Sequence, residues 1–200
     1  VVIGGGVVGM NAAKMAVGMG ASVTMLDRNL TVLANLDNQF DGRLKVVYST
    51  HDAIEKYVLE ADLVIGAVLV PGAAAPKLVT KDLISRMKPG AAVVDVAIDQ
   101  GGCFETSHAT THQDPTYIID DVVHYCVANM PGAVAKTSTF ALNNATLPYI
   151  IKLANLGWKE ALVQDEHLLN GLNVIAGQVT VQDVAEAHNL PFVAPKSMIL

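Results

Sequence analysis

The chain begins with VVIGGGVVGM, residues Val1–Met10, a short apolar run followed by closely spaced glycines. It predicts a buried strand, a glycine turn and the start of a helix. The spacing Gly4-x-Gly6-x-x-Gly9 is typical of dinucleotide binding. We expect Gly4 to allow a sharp turn, Gly6 to let a pyrophosphate approach the backbone, and Gly9 to let the helix pack closely on the strand. The N–H groups at the start of the helix would then face the phosphates.

Three glycines alone are a weak signal, and the residues that follow strengthen it. Residues 7–19 place small side chains on one helical face, and residues 23–26 predict a second apolar strand. That strand ends at Asp27, 18 positions after Gly9, where an acid that binds the adenosine ribose is expected. A carboxylate there accepts hydrogen bonds from both ribose hydroxyls and repels a 2′-phosphate, which predicts NAD rather than NADP. The alternative for Asp27 is an ordinary turn residue.

The composition excludes several classes of protein. Of 200 residues, 52% are hydrophobic and 16% are charged, which predicts a large folded core. A net charge of −6 argues against nucleic-acid and anionic-membrane partners. The longest apolar run, residues 63–75, is too short and too interrupted to span a bilayer. Two cysteines are too few for a disulfide framework, so we expect a cytoplasmic protein, and we expect no metal site.

The chain begins inside the predicted first strand, without Met and without any lead-in. A native chain rarely begins at the central strand of a sheet. We therefore expect a fragment whose upstream portion is absent, and any catalytic residues on that portion are not visible here.

Strands and helices alternate along the first part of the chain. Mostly continuous apolar strands indicate a Rossmann-type doubly wound parallel sheet that is covered on both faces. Ligands of such a sheet lie beyond the carboxyl ends of its strands, where Asp27, Ser49, Val68-Leu69 and residues 97–102 fall. The predicted strands after the first two span residues 43–48, 62–66, 91–96 and 124–127, and the predicted helices between them span residues 31–40, 51–59 and 81–87.

The segment that leaves the fifth predicted strand, AIDQGGC at residues 97–103, contains a carboxylate followed by paired glycines. If the glycine loop holds a pyrophosphate, the nicotinamide ring should lie at this strand end. Asp99 could accept a hydrogen bond from the substrate or the nicotinamide ribose, or orient a general base. A structural turn role is equally compatible with the spacing. Cys103 has no nearby base in sequence and is not favoured as a nucleophile.

The pattern changes in the second half. Residues 104–120 are polar and rich in turn formers, which predicts an exposed loop, and His124 is expected to be a sheet residue. Residues 137–156 predict a long helix that ends at Gly157, and Pro148 either bends it or starts a new segment. Shorter helices are predicted at residues 158–163, 166–170 and 181–188. This mainly helical segment is expected to leave the sheet domain and to belong to a second domain.

The chain resembles the carboxyl-terminal part of the bacterial L-alanine dehydrogenase family. The resemblance covers essentially all 200 residues. It rests on IGGGVVGMNAAKMAVGMGASVTMLD at residues 3–27, GAVLVPGAAAPKLVT at 66–80, VVDVAIDQGGCFE at 93–105 and HYCVANMPGAVAKTSTFALNNATLPY at 124–149.

The resemblance implies NAD-dependent oxidative deamination of L-alanine to pyruvate and ammonium, and the reverse amination. It implies that residues 1–134 form an NAD-binding domain and that residues 135–200 are the helical carboxyl-terminal part of a substrate domain. It also implies a homo-oligomer, typically a hexamer.

The resemblance also assigns site residues. Asp99 matches a catalytic residue of the family, which acts beside a histidine, a lysine and an arginine of an upstream domain, and Asn129 would face the substrate. Val32 and His108 stand where some members have a basic residue near the cofactor. The implied cofactor-binding residues are Gly4, Gly6, Val7 and Gly9 in the pyrophosphate loop, Asp27 on the adenosine ribose, Ser49, Val68 and Leu69 on the adenine side, and Val96, Ala97, Ile98, Asp99, Val127, Ala128, Asn129 and Met130 around the nicotinamide.

Two alternatives remain open from the sequence. The NAD-binding module of a proton-translocating transhydrogenase shares this architecture, but its corresponding loop resembles Asp-x-Ala-x-x-x-Gly-Gly-Asn and has no acid where this chain has Asp99. A non-catalytic NAD-binding domain is the second alternative.

Overall fold

The structure is a computed structural model that describes residues 1–68 and 75–199. In it the chain divides into two units that separate between Met130 and Pro131. The first unit contains a large sheet with helices, and the second is mainly helical.

The first unit alternates strands and helices as the sequence predicts. Its strands are β1 (Val2–Ile3), β2 (Val23–Asp27), β3 (Leu44–Tyr48), β4 (Leu63–Gly66), β5 (Ala92–Asp95), β6 (Thr116–Ile119) and β7 (Val122–Tyr125). Its helices are α1 (Val7–Gly18), α2 (Leu30–Phe40), α3 (His51–Glu60) and α4 (Lys81–Ser85). Ile98–Gln100 forms a single 3₁₀ turn after β5.

The strand order within the described residues is β3-β2-β1-β4-β5-β7-β6. Neighbouring strands from β3 to β7 pair in parallel, and β6 pairs antiparallel with β7 at the edge. The predicted doubly wound parallel sheet is confirmed. The chain builds outward from β1 to β3 and then returns to place β4 on the other side of β1. Sheets of this kind bind ligands in the crevice at such a reversal, beyond the carboxyl ends of the strands.

Helices cover both faces of the sheet because successive strand side chains point to opposite sides. Val2 and Met25 pack with buried residues of α1 and α2, whereas their neighbours Ile3 and Leu26 pack with buried residues of α3 and α4. The first cluster includes Ala13, Leu33, Leu36 and Phe40, and the second includes Ile54, Val58, Leu83 and Ile84.

Side-chain caps fix where three helices begin. The Thr50 hydroxyl accepts a hydrogen bond from the backbone N–H of Ala53 at 3.1 Å, at the start of α3. Asn29 caps α2 and Thr80 caps α4 in the same manner. Each cap satisfies an N–H group that has no partner inside its helix.

The prediction of an exposed loop over residues 104–120 is wrong in two places. Phe104 is fully buried, and its ring packs so closely on Gly66 that an added Cβ there would lie 2.7 Å from a ring carbon. Thr116–Ile119 forms β6 because it pairs with β7, a partner that local composition does not reveal. The last parallel strand also begins and ends earlier than predicted. Val127 instead bridges to Thr110.

The second unit contains the long helical segment α5 (Ala135–Gln164), with Pro148 inside it. Gly157 is not helical, with φ +74° and ψ 161°, so two helices meet there at a kink. The predicted end of the long helix at Gly157, followed by a separate helix, is confirmed. The sequence did not predict the hairpin of β8 (Val174–Ile175) and β9 (Gln178–Val179), whose turn residues both have positive φ. The remaining helices are α6 (Glu166–Asn170), α7 (Gln182–Ala187) and α8 (Lys196–Ile199). Within the described ranges, no helix has the length and apolarity to cross a bilayer.

The contact between α1 and β1 yields a stability prediction. A Cβ on Gly9 would lie 1.8 Å from the carbonyl oxygen of Gly4, so Gly9→Ala must displace the backbone. We expect it to lower the free energy of unfolding of the native protein by at least about 2 kcal/mol. Gly18→Ala in the same helix is the matched control, because its added methyl group meets no atom within 4 Å. It should stabilise the protein by up to about 1 kcal/mol. Equal denaturant midpoints for the two variants would contradict the packing described.

Candidate dinucleotide site at the carboxyl edge of the sheet

The glycine loop has the geometry that a phosphate site requires. Gly4 has φ +102°, and a Cβ there would lie 2.7 Å from the carbonyl oxygen of Ala67. Gly6 differs, because a Cβ built on it meets no atom within 4 Å. The loop therefore turns tightly at Gly4 and presents an open backbone surface at Gly6.

The amino end of α1 follows directly from this open surface. Gly6 is the N-cap residue and supplies no side-chain hydrogen bond, and the first turn contains no acidic residue. The first-turn N–H groups of a helix have no acceptor inside the helix, and the helix dipole favours an anion in front of them. This end of α1 can therefore bind a phosphate group.

Asp27 connects the end of β2 to the glycine loop. Its Oδ2 accepts a hydrogen bond from the backbone N–H of Gly5 at 2.6 Å, and its Oδ1 accepts one from Asn29 N–H at 2.7 Å. A carboxylate oxygen can accept two hydrogen bonds, so each oxygen of Asp27 can still accept one from a hydroxyl group. The side chain is half-buried, and it lies at the same edge of the sheet as Gly6.

A cleft of about 980 Å³ brings these groups together in the first unit. Its size lies at the upper end of the range of small-molecule and cofactor pockets. Among the residues predicted from sequence, Gly4, Gly6, Val7, Asp27, Ser49 and Val68 line it. Gly9 lies under the loop, and Leu69 falls outside the described residues. The lining also includes residues that the sequence analysis did not single out, among them Arg28, Tyr48, Thr50, Ile54, Pro76 and Lys77.

Asp99 lies at the same edge of the sheet, beyond the end of β5, the strand next to β4. It belongs to the 3₁₀ turn Ile98–Gln100. The preceding Ile98 is buried, whereas Asp99 is exposed. Gly101 and Gly102 both have positive φ, which turns the chain back toward the sheet. Residues 96–102, called the Asp99 loop below, therefore hold this carboxylate in solvent between two buried residues, Asp95 and Cys103.

The loop after β7 lies beside the Asp99 loop, because β5 and β7 are parallel neighbours. Val127 is buried, and Asn129 is exposed with φ +58°. The backbone carbonyl of Asn129 is 3.0 Å from Nε2 of His112. The geometry brings the Asp99 and Asn129 loops to the same sheet edge. Val96, Ala97, Ala128 and Met130, all partly buried, complete the two loops.

Two charged residues that the sequence analysis missed hold the Asp99 loop. Asp95, at the end of β5, is fully buried, and its carboxylate accepts hydrogen bonds from the chain beyond the loop. The Lys77 ammonium donates to the carbonyl oxygens of Gly101 and Phe104, at 2.5 and 3.1 Å. Both had a signal in the sequence: each is the sole charged residue of an apolar stretch, residues 91–98 and 66–80.

Cys103 and His124 are buried near this loop and do not have the environment of reactive groups. Burial, with the nearby Asp95 carboxylate, raises the pKa of the Cys103 thiol to about 12, which disfavours the nucleophilic thiolate. The imidazole of His124 lies between the Val122 carbonyl and the Thr106 hydroxyl, and burial lowers its pKa. Over the residues described, no group of three or more His, Cys, Asp or Glu side chains could hold a metal ion.

Comparison with known proteins gives relatives along nearly the whole chain. An alanine dehydrogenase of Halomonas elongata is 63% identical over 198 residues, which are 99% of this chain and 53% of that protein. A solved L-alanine dehydrogenase structure has a TM-score of 0.85 and 53% identity, over 94% of this chain and 52% of that one. A transhydrogenase structure from Sinorhizobium meliloti has a TM-score of 0.61 and 28% identity, over 70% of this chain and 39% of that one.

The chain spans about half the length of the curated relatives it matches. A family model described as "Alanine dehydrogenase/PNT, C-terminal domain" matches residues 1–182. The chain therefore belongs to the family of alanine dehydrogenase/PNT C-terminal domains.

Proposed function

We propose that this chain is the NAD-binding part, together with a portion of the substrate domain, of an alanine dehydrogenase. The reaction is the reversible oxidative deamination of L-alanine to pyruvate and ammonium. The observation that carries the proposal is the cleft in which the open backbone at Gly6 and the carboxylate of Asp27 occur together. The identity of 63% to a protein named alanine dehydrogenase supports the choice of reaction.

The residues of the cleft fit a dinucleotide. The N–H groups at the start of α1, beside Gly6 and Val7, bind the diphosphate. Asp27 accepts the adenosine ribose hydroxyls and disfavours a 2′-phosphate, so NAD is preferred to NADP. Ser49 and Val68 contact the adenosine from the neighbouring strand ends, with Leu69 assigned by the family pattern alone.

The loops after β5 and β7 form the reacting end of the site. When bound, a nicotinamide ring supplies the acceptor or donor of the hydride that is exchanged with the α-carbon of alanine. Val96 to Asp99 and Val127 to Met130 surround this end. Asp99 holds the substrate, or the water that attacks the imine formed from alanine, in position for proton transfer. The exposed side chain of Asn129 faces the substrate.

The proposal extends to the whole protein. Residues 1–134 form the NAD-binding domain, and residues 135–200 belong to the substrate domain. The protein acts in the cytoplasm as a homo-oligomer, and its resemblance to the L-alanine dehydrogenase family favours a hexamer. Its partners are L-alanine, pyruvate and ammonium. The net charge of −6 argues against a nucleic acid or a membrane as a partner.

The transhydrogenase alternative rests on the similarity to the Sinorhizobium meliloti structure. Its lower identity makes it the weaker of the two candidates. An assay of the full-length protein separates the functions. Alanine-dependent formation of NADH supports the dehydrogenase, whereas NADH binding without any alanine turnover supports the transhydrogenase module or a non-catalytic NAD-binding domain.

The role of Asp27 predicts a loss of cofactor affinity. Asp27→Ala removes the acceptor for two ribose hydroxyls, so we expect the Kd of NADH, measured by calorimetry, to rise between about 10-fold and 100-fold. The control is Asp37→Ala, which removes an exposed carboxylate of α2 that is not among the residues lining the cleft. It should leave the Kd unchanged. A Kd for Asp27→Ala within threefold of the wild type would remove Asp27 from the site.

The role of Asp99 predicts a loss of turnover. Asp99→Asn keeps the size of the side chain but removes its charge and basicity, so kcat should fall at least about 100-fold. The Kd of NADH should stay within a few fold. Asp62→Asn makes the same chemical change at an exposed position before β4, at the opposite edge of the sheet. Turnover of Asp99→Asn that matches this control would refute the catalytic role.

A further inference from the structure

We propose that Asp95 is a positioning residue of this site. Its buried carboxylate fastens the returning end of the Asp99 loop to the end of β5, and so fixes the orientation of Asp99. The inference rests on the proposed function, because it concerns how Asp99 is held. Asp95 itself is fully buried, so it acts through the loop and not on the substrate.

The contacts of Asp95 converge on a short part of the chain. Its Oδ2 accepts hydrogen bonds from the backbone N–H of Cys103 at 2.9 Å and of Phe104 at 3.3 Å. The same oxygen accepts the hydroxyl of Ser107 at 2.5 Å. Its Oδ1 lies 3.5 Å from the sulfur of Cys103. The Asp95 carboxylate therefore links its own strand end to Cys103, eight positions later, and closes the loop between them.

The chemistry of these contacts favours a carboxylate over other side chains. All the partners are donors, and an ionised carboxylate is a pure acceptor. A buried charge is costly unless hydrogen bonds satisfy it, and no Lys or Arg forms an ion pair with Asp95 over the described residues. The N–H groups of Cys103 and Phe104 supply hydrogen bonds that this buried carboxylate needs, and the backbone therefore lies close around it.

Gly102 shows how tightly the loop follows the carboxylate. It has φ +75°, and an added Cβ would lie 2.5 Å from Oδ2 of Asp95. On the outside, Gln100 accepts a hydrogen bond from Ala75 N–H at 2.9 Å. On the side of β5, Val96 N–H donates to the carbonyl of Gly66 at 2.9 Å. Asp99 is the exposed residue between these hydrogen bonds. A shift of the loop backbone away from the Asp95 carboxylate would therefore move the Asp99 side chain.

The test uses Asp95→Asn in the full-length enzyme. The amide oxygen can still face the backbone N–H groups, but the charge is lost and an NH₂ group replaces the second acceptor. We expect kcat to fall between about 10-fold and 100-fold, which is the effect of a small misplacement of a catalytic group. The Kd of NADH should stay within threefold. The kinetic isotope effect on kcat with L-alanine deuterated at the α-carbon should change. It rises if the misplaced Asp99 slows hydride transfer, and it falls if the misplaced Asp99 slows the later attack of water on the imine.

A double-mutant cycle distinguishes positioning from a general structural role. In single-turnover formation of NADH, Asp95→Asn should cost less than about threefold in the Asp99→Asn background, because its effect acts through Asp99. Asp82→Asn, at an exposed residue of α4, is the control and should leave kcat unchanged. Should Asp95→Asn fail to fold, Ser107→Ala removes one donor and should give the same pattern with a smaller loss of kcat.

The outcomes are separable. Wild-type kcat in folded Asp95→Asn and Ser107→Ala, together with an inactive Asp99→Asn, would overturn this inference and leave the proposed function intact. An equal loss of kcat in both backgrounds would also overturn it. Normal turnover of Asp99→Asn would instead overturn the proposed function.

Discussion

The close approach of α1 to β1 is the constraint on which the rest of the site depends. At Gly9 no side chain fits between the helix and the carbonyl oxygen of Gly4. The amino end of α1 follows β1 directly and therefore lies at the carboxyl edge of the sheet, and Gly9 lets the helix pack close to the end of this strand. The same edge carries Asp27, whose carboxylate binds the backbone of the glycine loop. The helix end that we propose to bind the diphosphate and the carboxylate that we propose to bind the ribose therefore share one cleft.

The sheet order determines what lies next to that cleft. Because β4 returns to the other side of β1, the ends of β4, β5 and β7 follow one another along the same edge. The loop after β5 presents Asp99, and the loop after β7 presents Asn129. The Asp99 loop is fastened by the buried Asp95 and by Lys77, and Val127 before Asn129 bridges to Thr110. In the proposed function, these two loops lie at the nicotinamide end of a dinucleotide that binds along this edge.

Local signals in the sequence were sufficient for much of this arrangement. The glycine spacing and the apolar strands depend on neighbouring residues, and the sheet and its helices follow from them. The burial of Phe104 and the strand β6 depend on pairing with distant residues, so a polar composition concealed them. The hairpin of β8 and β9 depends on two residues with positive φ, one of which is an alanine. Asp95 and Lys77 stand out as single charges in apolar stretches, but most of their hydrogen-bond partners are backbone groups of another segment, so the pattern did not indicate what they hold.

A crystal structure of the native protein with bound NADH would test this arrangement. We expect diphosphate oxygens within hydrogen-bond distance of the N–H groups at the start of α1, and ribose hydroxyls on the carboxylate of Asp27. We also expect the nicotinamide ring to lie against the loop of Asp99. Electron density for the cofactor outside this cleft, or a nicotinamide ring directed away from the Asp99 loop, would contradict it.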